Sequence, residues 1–97
     1  MQVDINKVYK QIIDFGKEFN VKKIVLFGSR ARGDNKLKSD IDIAVYGCDD
    51  FDNFKVKVDE ELWSLLYVDI INMNSKYISE ELIKEINRDG RVLYEKI

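Results

Sequence analysis

The chain reads as a small α/β domain of two or three layers. Three observations predict this class: helical and strand patterns alternate along the sequence, the strand-like runs are short, and the long helical stretches each carry one apolar stripe. With 97 residues the expectation is one domain spanning 1–97. Hydrophobic residues at 45% and charged residues at 35% allow one modest core.

Residues 4–19 are expected to be helical, because Ile5, Val8, Ile12, Phe15 and Phe19 recur every three or four positions. Residues 22–27 form an apolar run ending at Gly28, which suits a buried strand. A short helix is expected over 29–33 with Ser29 as its N-cap, followed by a turn at Gly33-Asp34-Asn35. Residues 40–46 alternate, with Ile41, Ile43 and Val45 on one face and Asp40, Asp42 and Ala44 on the other. A second long helix is expected over 52–65, with Phe54, Val58, Leu62 and Leu65 on its stripe and Asp52 as its cap. Trp63 is expected in the core. Residues 66–73 read as a strand. Ser79, followed by Glu80 and Glu81, opens a helix to about residue 87 that Asp89-Gly90 ends, and residues 91–95 read as a last strand.

Composition removes whole classes of chemistry. There is no His, which excludes His-based catalysis and His zinc sites. The single Cys48 excludes an internal disulfide and Cys-rich metal sites, and fits a reducing cytoplasm. No apolar run approaches a membrane span, and Met1 to Lys10 lack a signal-peptide core, so a cytoplasmic protein with no membrane partner is expected. A net charge of -2 gives no general attraction to nucleic acid, and no DNA partner is expected. Carboxylates, hydroxyls, Arg and Lys remain for catalysis.

Asp40 and Asp42, at i and i+2 of a strand, point the same way about one pleat apart. Two carboxylates that close repel each other unless a cation lies between them, and a hard divalent ion such as Mg²⁺ resolves the conflict. The bare pattern is cheap: the chain has eleven Asp, and Asp50-Phe51-Asp52 repeats it in an acidic connection. Context separates the two copies, since only Asp40 and Asp42 alternate with core-type isoleucines. Asp69 interrupts an apolar strand, where a charge is costly unless paired or metal-bound. If its strand neighbours that of Asp42, three carboxylates converge, and Asp69 gains a role as metal ligand and general base. The competing explanation for Asp69 is an edge-strand charge that discourages aggregation.

Gly28 permits close backbone approach, and the free N–H groups of a helix start, with the Ser29 hydroxyl, can bind phosphate oxygens. Arg30 and Arg32 add positive charge. Taken alone, such a turn is ordinary, with Ser29 a simple cap. The combination is more specific: a strand, Gly28-Ser29, ten residues, then Asp40-Ile41-Asp42 on the next strand.

That combination resembles the signature of the polymerase-β-like nucleotidyltransferase superfamily. Phe-Gly-Ser-Arg-Ala-Arg-Gly-Asp at 27–34 and Ser-Asp-Ile-Asp-Ile-Ala-Val at 39–45 are similar to its minimal nucleotidyltransferase branch, the MntA-like proteins, as is Gly-Arg-Val-Leu-Tyr-Glu at 90–95. The resemblance implies a mixed β-sheet with helices packed on it, two Mg²⁺ ions and ATP as substrate. It implies metal ligation by Asp40, Asp42 and Asp69, and triphosphate contacts from Gly28 and Ser29, with Arg30 beside them. It further implies an antitoxin that transfers AMP to a tyrosine of a HEPN-domain toxin. The chain has little material for an acceptor pocket of its own, which suits a partner protein as acceptor, in a hetero-oligomer or beside a homodimer. Two other readings stay open: a small-molecule nucleotidyltransferase of the aminoglycoside-modifying kind, and a non-catalytic module that neutralises its partner by binding.

Overall fold

Asp4 caps the first helix, its carboxylate accepting from the Asn6 N–H at 3.1 Å. In this computed structural model, which describes residues 4–97, the chain runs α1 (Ile5–Glu18), β1 (Lys23–Phe27), α2 (Ser29–Arg32), β2 (Ile41–Tyr46), α3 (Phe51–Glu61), β3 (Val68–Asn72), α4 (Glu80–Asp89) and β4 (Arg91–Glu95). Met1–Val3 of the expected 1–97 domain lie outside the described residues.

The four strands form one mixed sheet in the order β3-β2-β1-β4. β1 pairs antiparallel with β2 and with β4, and β2 pairs parallel with β3. Strand alternation sends side chains to two faces. On one face Ile24, Leu26, Ile41, Ile43, Val45 and Ile70 pack against Val8 and Ile12 of α1 and Phe54 and Val58 of α3. On the other, Val25, Phe27 and Ala44 pack against Ile86 and Leu82 of α4. The sheet is therefore sandwiched between helices, the three-layer form of the expected α/β class. Every large side chain on the α1/α3 face of β2 is fully buried. That fixes the register of β2, because a one-residue slip would turn Ile41, Ile43 and Val45 outward.

α4 is capped as expected, Ser79 Oγ accepting from the Leu82 N–H at 3.1 Å. Gly90 follows it with an extended backbone rather than a left-handed one, and its value lies in size: a Cβ there would come within 2.7 Å of Val25 Cγ1.

Three expectations need correction. Ser29 is not an N-cap; Gly28 occupies that position, and α2 has no side-chain cap. Asp52 lies inside the first turn of α3, whose N-cap is Asp50, and Asp50 binds the Asn53 side chain instead of a backbone N–H. α3 ends at Glu61, four residues short of the expected 65, and Trp63 lies beyond it, 82% exposed rather than in the core. The reason is local. Asp59, Glu60 and Glu61 crowd the last turn, where the helix dipole disfavours negative charge. Leu62 has extended backbone angles and the chain beyond it is irregular, held by the Leu62 carbonyl accepting from Ser64 N–H, Gln11 Oε1 accepting from Trp63 N–H and Ser64 Oγ accepting from Leu66 N–H.

Candidate active site

The candidate residues meet at one end of the sheet, where β1 finishes and β2 and β3 begin. β1 ends at Phe27, which stands opposite Asp42. Gly28 then turns the chain into α2 with φ +74° and ψ -158°, a conformation essentially confined to glycine. Gly28 is buried against the Asp42 side chain. A Cβ at this position would collide with Asp42 Oδ2 and come within 3.2 Å of Asp42 Cγ. The turn and the carboxylate are thus fitted to each other through the missing side chain.

Asp42 stands opposite Asp69 in the parallel β2–β3 ladder. Opposite residues on neighbouring strands project from the same face about 4.8 Å apart, so both carboxylates emerge on the α4 side, beyond the part of the sheet that α4 covers. β3 is an edge strand, as the aggregation-guard explanation of Asp69 requires. The residue is nonetheless half-buried and set opposite a second acid, which a solvent-facing guard charge does not need. Asp40 lies just before β2 and is exposed. The next residue is anchored by the Ile41 N–H donating to the Tyr67 carbonyl at 2.9 Å.

Electrostatics report the same convergence. Burial pushes the Asp42 carboxyl above the usual carboxylate range, and the charges of Asp69, Asp40 and Glu85 push it further, with Arg32 opposing. Glu85, projecting from α4, escaped the sequence reading; nothing in its helical context distinguishes it from its exposed neighbours. Arg32 bridges the two regions. It pairs with Asp34 at 3.1 Å, Glu85 at 3.5 Å and Asp89 at 3.7 Å.

Arg30 does something the sequence did not signal. Its Nε donates to the Ser39 carbonyl at 3.0 Å and its Nη2 to the Leu37 carbonyl at 3.1 Å. The guanidinium therefore ties α2 to the loop that delivers Asp40. Ser39 closes the same loop, its Oγ accepting from the Lys36 N–H at 2.8 Å. Ser29 begins α2, where the first N–H groups of any helix lack intrahelical partners.

Among the described residues, no group of three or more His, Cys, Asp and Glu side chains forms a ready-made metal cage. Calcium commonly requires such a cage, but Mg²⁺ does not: it keeps waters and binds through one or two carboxylates plus substrate phosphates. Mutually repelling carboxylates beside the first N–H groups of α2 fit an ion shared with a triphosphate. Two surface depressions, one lined by Val58, Leu62, Leu66 and Tyr67 and the other by Lys22, Tyr46 and Lys96, do not include the carboxylates.

A mixed sheet carrying a glycine turn packed onto an acidic strand is the arrangement expected of an α/β nucleotidyltransferase domain. The chain belongs to the polymerase beta nucleotidyltransferase family, whose description "Polymerase beta, Nucleotidyltransferase" matches residues 10–97. It is similar to a protein of Methanocaldococcus jannaschii provisionally named a protein adenylyltransferase, with 43% identity over 83 residues, covering 76% of this chain and 79% of the relative. Among solved structures it is similar to a toxin–antitoxin crystallised with AMP-PNP, at 25% identity and a TM-score of 0.67, covering 91% of this chain and 73% of the other. A variant of the MntA–HpeT toxin–antitoxin matches at 27% identity and a TM-score of 0.69, covering 98% and 75%. No described helix is long and apolar enough to cross a membrane.

Proposed function

We propose that the chain transfers AMP from ATP to a tyrosine hydroxyl of a HEPN-domain toxin and so acts as its antitoxin. The observation that carries this is the register of the sheet: Asp42 faces Asp69 on the neighbouring strand while Gly28 packs onto Asp42. The names of the similar proteins support the rest, one a protein adenylyltransferase and others toxin–antitoxin structures.

In this reading Gly28 and Ser29 receive the triphosphate, with backbone N–H groups and the Ser29 hydroxyl as donors. Asp40, Asp42 and Asp69 would hold two Mg²⁺ ions together with the triphosphate. Bound magnesium supplies charge neutralisation at the phosphates and stabilises the attacking and leaving oxygens. Asp69 takes the proton of the acceptor hydroxyl as its oxygen attacks the α-phosphorus. A bond forms between that oxygen and phosphorus, the α–β bridging bond breaks, and pyrophosphate leaves. Arg30 acts here by holding the 33–39 loop and with it Asp40, while its positive charge remains near the phosphates.

A protein acceptor is favoured over a small molecule by the names of the similar proteins, a protein adenylyltransferase and toxin–antitoxin structures. The test is incubation of the candidate toxin with ATP, Mg²⁺ and this chain, followed by mass spectrometry and a toxicity assay. Adenylate-sized additions are expected on the toxin and are lost with Asp40→Ala or Asp42→Ala. An unmodified toxin that both variants still neutralise fully would mean that the chain acts by binding alone.

A further inference from the structure

Between α3 and β3 the chain alternates in an unusual way. Leu62 and Leu66 turn inward against the core, while Trp63, Leu65 and Tyr67 face outward, 82%, 94% and 60% exposed. A segment bent at Leu65 and Leu66 that still places apolar residues on both sides is expected where a second surface covers the outer side. The location is specific, because the Tyr67 carbonyl accepts from Ile41 N–H, between Asp40 and Asp42, and Asp69 is two residues further on.

We propose that Trp63, Leu65 and Tyr67 form the docking surface for the acceptor protein, and that the acceptor meets them with an apolar strip flanked by Lys or Arg. This deepens the function proposed above and rests on its claim that the acceptor is a protein. Charge selects the occupant. Around the end of α3, the carboxylates of Glu18, Asp59, Glu60 and Glu61 outnumber the ammonium groups of Lys55 and Lys57 that pair with them. Asp59, Glu60 and Glu61 also stand at the negative end of the helix dipole, with no basic residue in the last turn. The two lysines offset only part of that charge, and the acidic excess suits a cationic partner. A second copy of the chain is the wrong occupant: a two-fold interface here sets the same acidic rim against itself. A small hollow lined by Val58, Asp59, Leu62, Ser64, Leu66 and Tyr67 adjoins Trp63 and Leu65 and sets the Asp59 carboxylate beside the apolar strip, as a partner with a cationic flank requires. Trp and Tyr are the residue types that most often anchor such contacts.

The test separates docking from transfer. Binding of the HEPN-domain candidate to the intact chain is measured by calorimetry without ATP, and transfer is measured separately. Trp63→Ser with Leu65→Ser raises Kd by about 100-fold or more, as expected for two anchor residues. Glu60→Lys with Glu61→Lys raises it by about tenfold, and wild-type affinity falls as salt rises. All four positions are exposed or follow the helix end, and an unchanged melting temperature confirms that the variants fold. In transfer, the apolar pair raises KM for the acceptor and leaves kcat nearly unchanged. Variants that bind within threefold of wild type overturn the docking surface and leave the transferase reading intact. Wild-type binding without transfer overturns the transferase reading and leaves the surface standing. A wild-type chain that does not bind the candidate overturns both. A homodimer in sedimentation that Trp63→Ser disperses assigns the patch to a second copy and overturns the proposal.

Discussion

Gly28→Ala is the most diagnostic single substitution. Two costs follow from the structure. The backbone at φ +74° and ψ -158° is strained for any residue with a Cβ, at about 1–3 kcal/mol. The new methyl also overlaps the Asp42 carboxylate, whose Cγ and Cβ would lie only 3.2 and 3.4 Å away. Asp42 must then move, or β1 and β2 must separate. A domain of this size loses about 4–8 °C of melting temperature per kcal/mol, so a cost of about 2 kcal/mol lowers it by roughly 8–16 °C. Misplacing a group at the reacting centre by about 1 Å costs on the order of 100-fold in rate. Calorimetry and a transfer assay below the melting range measure the two effects separately. Gly33→Ala is the control: its φ is +87°, yet nothing lies within 4 Å of the added Cβ. It shares the backbone strain but not the contact with Asp42. Gly33→Ala therefore destabilises by about 1–2 kcal/mol and transfers at a near wild-type rate. Equal rates for Gly28→Ala and wild type, or equal loss in both glycine variants, would refute the idea that the turn is fitted to Asp42.

Three further outcomes are expected. Ser29→Ala changes stability by less than about 0.5 kcal/mol, because Ser29 makes no cap bond, while it weakens triphosphate use in an ATP titration. Asp42→Asn is more stable than wild type at neutral pH, because the folded chain raises the Asp42 pKa and so disfavours its charged form. Wild-type stability falls as pH rises from the ordinary carboxylate pKa through the raised one, so thermal melts of the two proteins converge at pH values below the ordinary carboxylate range. Arg30→Ala frees the Leu37 and Ser39 carbonyls, and faster amide exchange across 36–39 accompanies a drop in kcat of about tenfold.

The placement of the candidate carboxylates on β2 was legible because one periodicity carried it. The alternation of Ile41, Ile43 and Val45 against Asp40 and Asp42 encodes the direction of the carboxylates, and burial of that isoleucine face made the inference hold. Asp69 was a conditional case. Its own strand was readable, but its pairing with Asp42 depends on strand order, which local pattern does not encode. Three features were opaque for the same reason. Glu85 approaches the site from a helix far along the chain, Arg30 is directed by the shape of the 33–39 loop, and the fit of Gly28 to Asp42 exists only across the β1–β2 ladder. The end of α3 was misjudged for a different reason. Leu62 and Leu65 satisfy helical spacing, but Leu62 and Leu66 also satisfy strand spacing, and the acidic last turn with the Gln11 and Ser64 contacts decides between them.

The intact mass of the candidate acceptor after incubation with ATP, Mg²⁺ and either the wild-type chain or Asp69→Asn tests the convergence of carboxylates most directly. The expected result is adenylate addition with the wild-type chain and none with Asp69→Asn, although that variant keeps its melting temperature and its affinity for the acceptor. Equal modification by both would contradict the account, since the acid facing Asp42 would then have no part in the transfer.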